Sequence, residues 1–392
     1  MTTTPARARL RAVTRELPRD HDALDDLGAE GFSWLHHETR IVTSGVAVRL
    51  APEEVRDALV AIDTDDTAAV PGVGPLAVGA LPFDPVARGE LVVPARITAS
   101  MQGRVWRTDI LPVHTDASVT SGPPTRFTVR APRTREDWRA MVGGALDAIR
   151  RADLEKVVLA REVLIESDTP FDVPSIARRL VSQQPGSFVY SSDGLVGASP
   201  ELLVRRMGDV VESLPVAGTA VVEGDDASLR ALAASVKDHR EHRFVVDAIV
   251  DGLVHECDTL DAGSEPDVAV FGHMAHLATR VQGRLRPPAR TALELARTLH
   301  PTPAVGGTPR DAALEAIRAL EGFDRGRYAG PVGWVDARGN GEWAIALRGA
   351  EVDDCRARLV AGAGIVEGSD PDSEWAETQA KLEPMLRALV RV

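Results

Sequence analysis

The chain reads as strands interleaved with helices, the pattern an α+β fold allows. Three observations support this. FSWLHHETRIVTSGVAVRL and GELVVPARITASMQGRVWRTDIL alternate as paired strands do. Thr134 stands as a cap before REDWRAMVGGALDAIRRADL, where Trp138, Met141, Leu146 and Ile149 make an apolar helical stripe. GPVGWVDARGNGEWAIALRGAEV reads as a hairpin turning at Gly339-Asn340-Gly341.

The bulk properties narrow the function. A length of 392 residues suits one large domain or two ordinary ones, and 44% apolar residues are ample for a core. A net charge of −13 argues against nucleic-acid or anionic-membrane partners. An anionic ligand would need a local cluster of Arg, Lys or bound metal. The two cysteines fit no metal or disulfide framework. No leader-like segment and no run of 18 apolar residues is present, so a cytoplasmic protein without membrane contact is expected.

Residues 1–130 read as strands and turns with one short helix at 51–62, a scaffold with few chemical clusters. Gly122-Pro123-Pro124 and Ala131-Pro132 mark the boundary with a catalytic region, 131–392. Lys156 opens the strand KVVLAREVLIE, a position ordinarily solvated. Glu201 sits in a Ser-Pro turn, where a carboxylate is often only a turn acid. PVAGTAVV offers close backbone approach at Gly218 and Thr219. Residues 227–258 read as one long helix, with Asp238 and Glu241 at i, i+3 beside Lys237. His239, His242, His273 and His276 invite a zinc reading, but Asp-His-Arg-Glu-His matches no zinc-helix order. His276 reads instead as a neutral hydrogen-bonding residue in a pocket or the core. A helix over 310–320 precedes a basic loop ending at Tyr328. Arg348 is placed on the second hairpin strand, where an inward guanidinium would clamp a carboxylate.

The C-terminal stretch LVAGAGIVEGSDPDSEWAETQAK organises the rest. Gly362 and Gly364 permit close approach, then Asp370 caps a helix with Pro371 at its first position. Glu374, Glu377 and Lys381 share one face of it. A solvated face with a Glu377–Lys381 pair is the plain alternative. Only three of the 45 basic residues are lysine: Lys156, Lys237 and Lys381. In so arginine-rich a chain, lysines are candidates for work that needs a proton to leave. Two helices thus carry carboxylate pairs at the same spacing, Asp238/Glu241 and Glu374/Glu377. Oxygen ligands of this kind suit Mg²⁺.

Taken together, KVVLARE, GASPELLVR, PVAGT, KDHREH, HLAT, LHPTPAVGGTP, FDRGRYAGPVGWVDARGNGEWAIALRGA and AGAGIVEGSDPDSEWAETQAKL resemble the chorismate-utilising enzymes, and most closely the isochorismate synthases. The match is dense over about 130–390. The resemblance implies a single large α+β fold, with two antiparallel β-sheets packed as a core, helices outside and the active site between. It implies that Lys156 activates water for attack at C2 of chorismate, and that Glu201 protonates the departing C4 hydroxyl. Glu241 and Glu377 match Mg²⁺ ligands, with Asp238 and Glu374 near the metal. Tyr328 and Arg348 match residues at the enolpyruvyl carboxylate. Gly218, Thr219, Gly362 and Lys381 match contacts to the substrate carboxylates, and His276 a histidine near the ring carboxylate.

Within the family, Lys156 stands where anthranilate synthases typically carry glutamine. PVAGT lacks the lysine often found in aminodeoxychorismate synthases. The Gly-Asn-Gly-Glu-Trp run and Ala304 follow the isochorismate pattern, while Tyr328 is the one position closer to salicylate synthases. A monomer feeding menaquinone or siderophore synthesis is the expectation, with salicylate synthase as the alternative.

Overall fold

The structure is a computed structural model that describes residues 10–28, 31–65, 68–101, 103–112, 124–222 and 226–390. Gly122 and Pro123 of the expected boundary lie outside these residues.

The first region supplies β1 (Arg11–Leu17), β2 (Phe32–His36), β3 (Thr39–Leu50), β4 (Asp63–Thr64), β5 (Leu76–Ala80), β6 (Leu91–Met101), β7 (Arg104–Leu111) and β8 (Phe127–Arg130), with helix α1 (Val55–Val60). The second opens with α2 (Arg135–Arg150), β9 (Lys156–Ser167), α3 (Val173–Gln183), β10 (Phe188–Ser192), β11 (Leu195–Ser199), β12 (Leu202–Met207), β13 (Val210–Leu214) and β14 (Val216–Val221). Then come α4 (Ala227–Ala234), α5 (Val236–Leu253), β15 (Cys257–Ala262), β16 (Asp267–Phe271), β17 (Met274–Ala278) and β18 (Val281–Leu285). The chain ends with α6 (Ala292–Leu299), β19 (Gly307–Thr308), α7 (Arg310–Glu321), β20 (Pro331–Asp336), β21 (Gly341–Ile345), β22 (Gly349–Asp353), β23 (Arg356–Val366) and α8 (Pro371–Val390).

Among the described residues twenty strands form one network, antiparallel except for the short β1–β4 pairing, and β14, β17 and β16 form a small second sheet. The expected packed sheets appear as two arms of that network. One runs β6–β3–β2–β10–β11–β22–β23–β9, the other β6–β5–β20–β21–β12–β13–β18–β15. Trp34, Ile41, Phe188 and Tyr190 from one arm pack against Val78, Leu202, Val332 and Trp334 from the other. Each such burial contributes roughly 1.5–3 kcal/mol. Strands buried on both faces explain why so many of them lose clean alternation.

Helices cover the outside. Trp138 and Met141 of α2, Ile249 and Leu253 of α5, Leu295 of α6 and Ile317 of α7 share a core with β9, β21 and β23. Ile176 and Leu180 of α3 pack with Leu382, Met385 and Leu389 of α8 against Val163 and Ile165 of β9 and Leu359 of β23. Thr134 caps α2 and, with Asp137, closes a capping box. Asp370 accepts from Ser373 N at 2.9 Å, which starts α8 as its sequence predicts.

Two expectations are corrected. The long helix over 227–258 is two helices. Ser235 is extended (ψ 108), ends α4 and caps α5 by accepting from Asp238 N. Arg348 is not on the second hairpin strand. β21 ends at Ile345, and Arg348 follows it at φ 49 between β21 and β22. No helix among the described residues is long and apolar enough to cross a membrane.

Candidate active site

β9 and β23 set the floor of the site. Their register places Val158 opposite Gly364 and Ala160 opposite Gly362, and β23 runs directly into α8. α5 lies above, over β14 of the small sheet. One cavity between them is lined by Glu201, Gly218, Thr219, Glu241, His276, Tyr328, Arg348, Gly362, Glu377 and Lys381, with Ala304, Val305 and Leu347. Ten residues singled out in the sequence therefore meet on one surface. Lys156, Asp238 and Glu374 do not line it; they stand behind that wall.

The solvated readings fail on burial. Lys156 is 0% exposed and Glu374 2% exposed. Lys156 Nζ lies 3.0 Å from Glu241 Oε1, and Lys381 Nζ lies 2.6 Å from Glu377 Oε1 and 3.0 Å from Gly362 O. Lys237 Nζ donates to Glu374 Oε1 at 2.9 Å. All three lysines of the chain thus pair with carboxylates of one site. Gly364 makes the first pair possible, because a Cβ there would stand 2.3 Å from Glu241 Oε1. Gly218 has φ +66, and a Cβ there would stand 2.9 Å from Asp238 Cβ.

Burial pushes Glu241 up, but Lys156, Lys381 and Lys237 together hold it below the ordinary carboxylate value. Asp238 is raised by burial and by the charges of Glu241 and Glu377. Glu374 is raised by burial and then by Glu377. Among the described residues, no three His, Cys, Asp or Glu side chains enclose a metal position as they stand. The carboxylates nonetheless repel one another across α5 and α8, and their oxygen-only donor set fits a hard cation.

Glu201 lies between β11 and β12, is 2% exposed, and is pushed up to about 8 by burial, with Lys156 and Lys381 pulling the other way. It holds its proton at neutral pH. Arg348 is 6% exposed and has no carboxylate partner among the described residues. Burial lowers it to about 10, and its Nη1 is buried without a hydrogen-bond partner among the described residues. Its Nη2 donates to His276 Nε2, so the network assigns the ring proton to Nδ1, which donates to Gly218 O at 2.7 Å. Burial and Arg348 hold His276 well below its usual value, as the sequence reading of a neutral histidine expects. Burial also raises the Tyr328 hydroxyl.

Sequence reasoning missed a support beneath Tyr328. Glu321 and Arg325 are 0% and 3% exposed and pair at 2.5 and 2.9 Å. Arg325 also donates to Val305 O and Val158 O, fixing two walls of the cavity, and lies 5.8 Å from the Tyr328 ring centroid. Its motif, FDRGRY, was visible, but the partner lies on α7. The Lys237–Glu374 pair was likewise unread.

Fold and site together define an α+β enzyme whose buried cavity pairs a protonated acid with cationic groups suited to a carboxylated ligand. The chain belongs to the chorismate binding enzyme family, whose model matches residues 93–390. It is 38% identical over 330 residues to the isochorismate synthase DhbC of Bacillus subtilis, covering 80% of this chain and 81% of that protein. It is 35% identical over 336 residues to the isochorismate synthase EntC of Escherichia coli K12, covering 80% of each. The solved structure of MenF, the menaquinone-specific isochorismate synthase from Escherichia coli, superposes with a TM-score of 0.84 at 26% identity, covering 97% of this chain and 94% of that one.

Proposed function

We propose that this protein is an isochorismate synthase, a cytoplasmic monomer that isomerises chorismate to isochorismate for menaquinone or siderophore synthesis. One observation carries most weight. Glu201 is a carboxyl kept protonated near neutral pH, in a cavity shared with Arg348 and Lys381. An acid is needed to protonate a departing hydroxyl, and cations are needed to receive a dianion. Arg348, with one nitrogen still free to donate, takes the enolpyruvyl carboxylate beside Tyr328. Lys381, Gly218, Thr219, Gly362 and neutral His276 orient the substrate carboxylates. Lys156 accepts the proton of the water that attacks C2, and Glu201 gives its proton to the hydroxyl leaving C4. Glu241 and Glu377 would hold Mg²⁺, with Asp238 and Glu374 beside it; the ion supplies positive charge for the ring carboxylate. The repulsion among these carboxylates supports that assignment.

Chorismate incubated with the purified protein and Mg²⁺ at neutral pH should give a chorismate–isochorismate mixture that stops at equilibrium. EDTA should abolish turnover, and ammonium should leave it unchanged. Salicylate plus pyruvate on chromatography would instead make the protein a salicylate synthase. At saturating Mg²⁺, Lys156→Ala should lower kcat by about 10²–10⁴-fold with chorismate still bound. Near-wild-type turnover in that variant would remove Lys156 from the role of base.

A further inference from the structure

The three lysines divide unequally. Lys156 and Lys381 have roles in the proposed reaction, whereas Lys237 has none. Yet Lys237 makes the same kind of contact, 2.9 Å to Glu374 Oε1, from the first turn of α5 to the first turn of α8. Its side chain is 44% exposed, while that of Glu374 is 3% exposed. A buried carboxylate beside Glu377 is costly without a partner. Ser369 donates one hydrogen bond to Glu374, and among the described residues Lys237 brings the one opposite charge acting strongly on it. Burial alone would lower the Lys237 ammonium; Glu374, with Glu241 and Glu377, more than restores it.

We propose that Lys237 is a positioning residue for the cation site, which holds the Glu374 carboxylate towards α5 and thereby sets how tightly the site takes a divalent cation. This inference rests on the cation site named above. Its physical basis is charge balance. Asp238, Glu241, Glu374 and Glu377 face Lys156, Lys237 and Lys381, so the site carries one net negative charge rather than four. A half-exposed ammonium competes with an incoming cation for Glu374 and repels it at short range. Its single-point contact can be released, whereas arginine would grip both carboxylate oxygens in a fork. That difference gives a reason for lysine here in a chain where 42 of the 45 basic residues are arginine.

The test is titration of the purified full chain with Mn²⁺ alone, followed by electron paramagnetic resonance, in wild type, Lys237→Gln and Lys237→Arg. Lys237→Gln should bind Mn²⁺ about tenfold more tightly, because one repelling charge is gone. Lys237→Arg should bind it about threefold more weakly, because the fork holds Glu374 back. Circular-dichroism melts run alongside; a purely structural role would move the melting midpoint and leave the order of affinities flat. A flat or reversed order, with wild type binding Mn²⁺ and Glu377→Gln not binding it, overturns the role of Lys237 and leaves the cation site standing. Wild type that binds no Mn²⁺ overturns both.

Discussion

Glu201 shows how much one residue's surroundings decide. Alone in sequence, a carboxylate after Ser-Pro is an ordinary turn acid. Buried, it is pushed up from 4.5 to about 8. Folded protein therefore keeps a proton that unfolded chain releases. The stability this confers is complete below about pH 4.5 and is lost as pH rises through about 8. Turnover that needs the same proton should fall along the same alkaline limb. Glu201→Gln should lose about 10²–10⁴-fold in rate. Its melting midpoint should also depend less on pH between 4.5 and 8 than that of wild type. An alkaline limb near 8 that persists in the residual turnover of Glu201→Gln would assign it to another group. The other site residues were equally legible by type and illegible by state. Motif order identified Lys156, Glu374 and Arg348, but only packing shows that each is buried, and which partner it has or lacks.

At the scale of elements, boundaries matter more than content. The segment ASLRALAASVKDHREH carries helix-forming residues throughout, so periodicity alone joins α4 to α5. Ser235 separates them by turning its hydroxyl to Asp238 N at 3.2 Å. That cap fixes the start of α5, and with it the faces on which Lys237, Asp238 and Glu241 fall. Ser235→Ala should cost about 1 kcal/mol, read as a lower urea midpoint, whereas Ser235→Asp should keep wild-type stability. Equal midpoints for Ser235→Ala and wild type would mean that tertiary packing alone sets the break. Arg348 is a similar case. Alternation counted from Ala346 keeps it on a strand, but the positive φ at Arg348 ends that register and carries its guanidinium into the cavity.

Across the whole molecule, the Gly-Asn-Gly-Glu-Trp run does structural work that its motif status conceals. Glu342 is 3% exposed; it accepts from Trp34 Nε1 at 2.8 Å and from Arg205 Nε at 2.5 Å. Trp34 lies on the β2–β10 arm, and Glu342 and Arg205 on the other, so this carboxylate ties the two arms together. Glu342→Ala should leave the indole N–H without its acceptor and Arg205 with Glu212 alone, and destabilise by roughly 1–3 kcal/mol. A loss below about 1 kcal/mol by chemical denaturation would mean that apolar packing alone joins the arms. The net charge of −13 is also handled locally: Lys381 and Arg348 line the cavity, while Lys156 and Lys237 pair with carboxylates beside it.

The sequence by itself determined the interleaved strands and helices, the caps of α2 and α8, the hairpin turn and the set of chemical groups. These depend on neighbours within a few residues, or on motifs kept in order along the chain. The tertiary structure alone decided the joining of both arms into one network, the break at Ser235, the placement of Lys156, Asp238 and Glu374 behind the cavity wall, and the pairing of every lysine with one acidic site. Those outcomes depend on burial and on charges brought together from positions more than a hundred residues apart, such as Lys237 and Glu374. No local pattern encodes such distances.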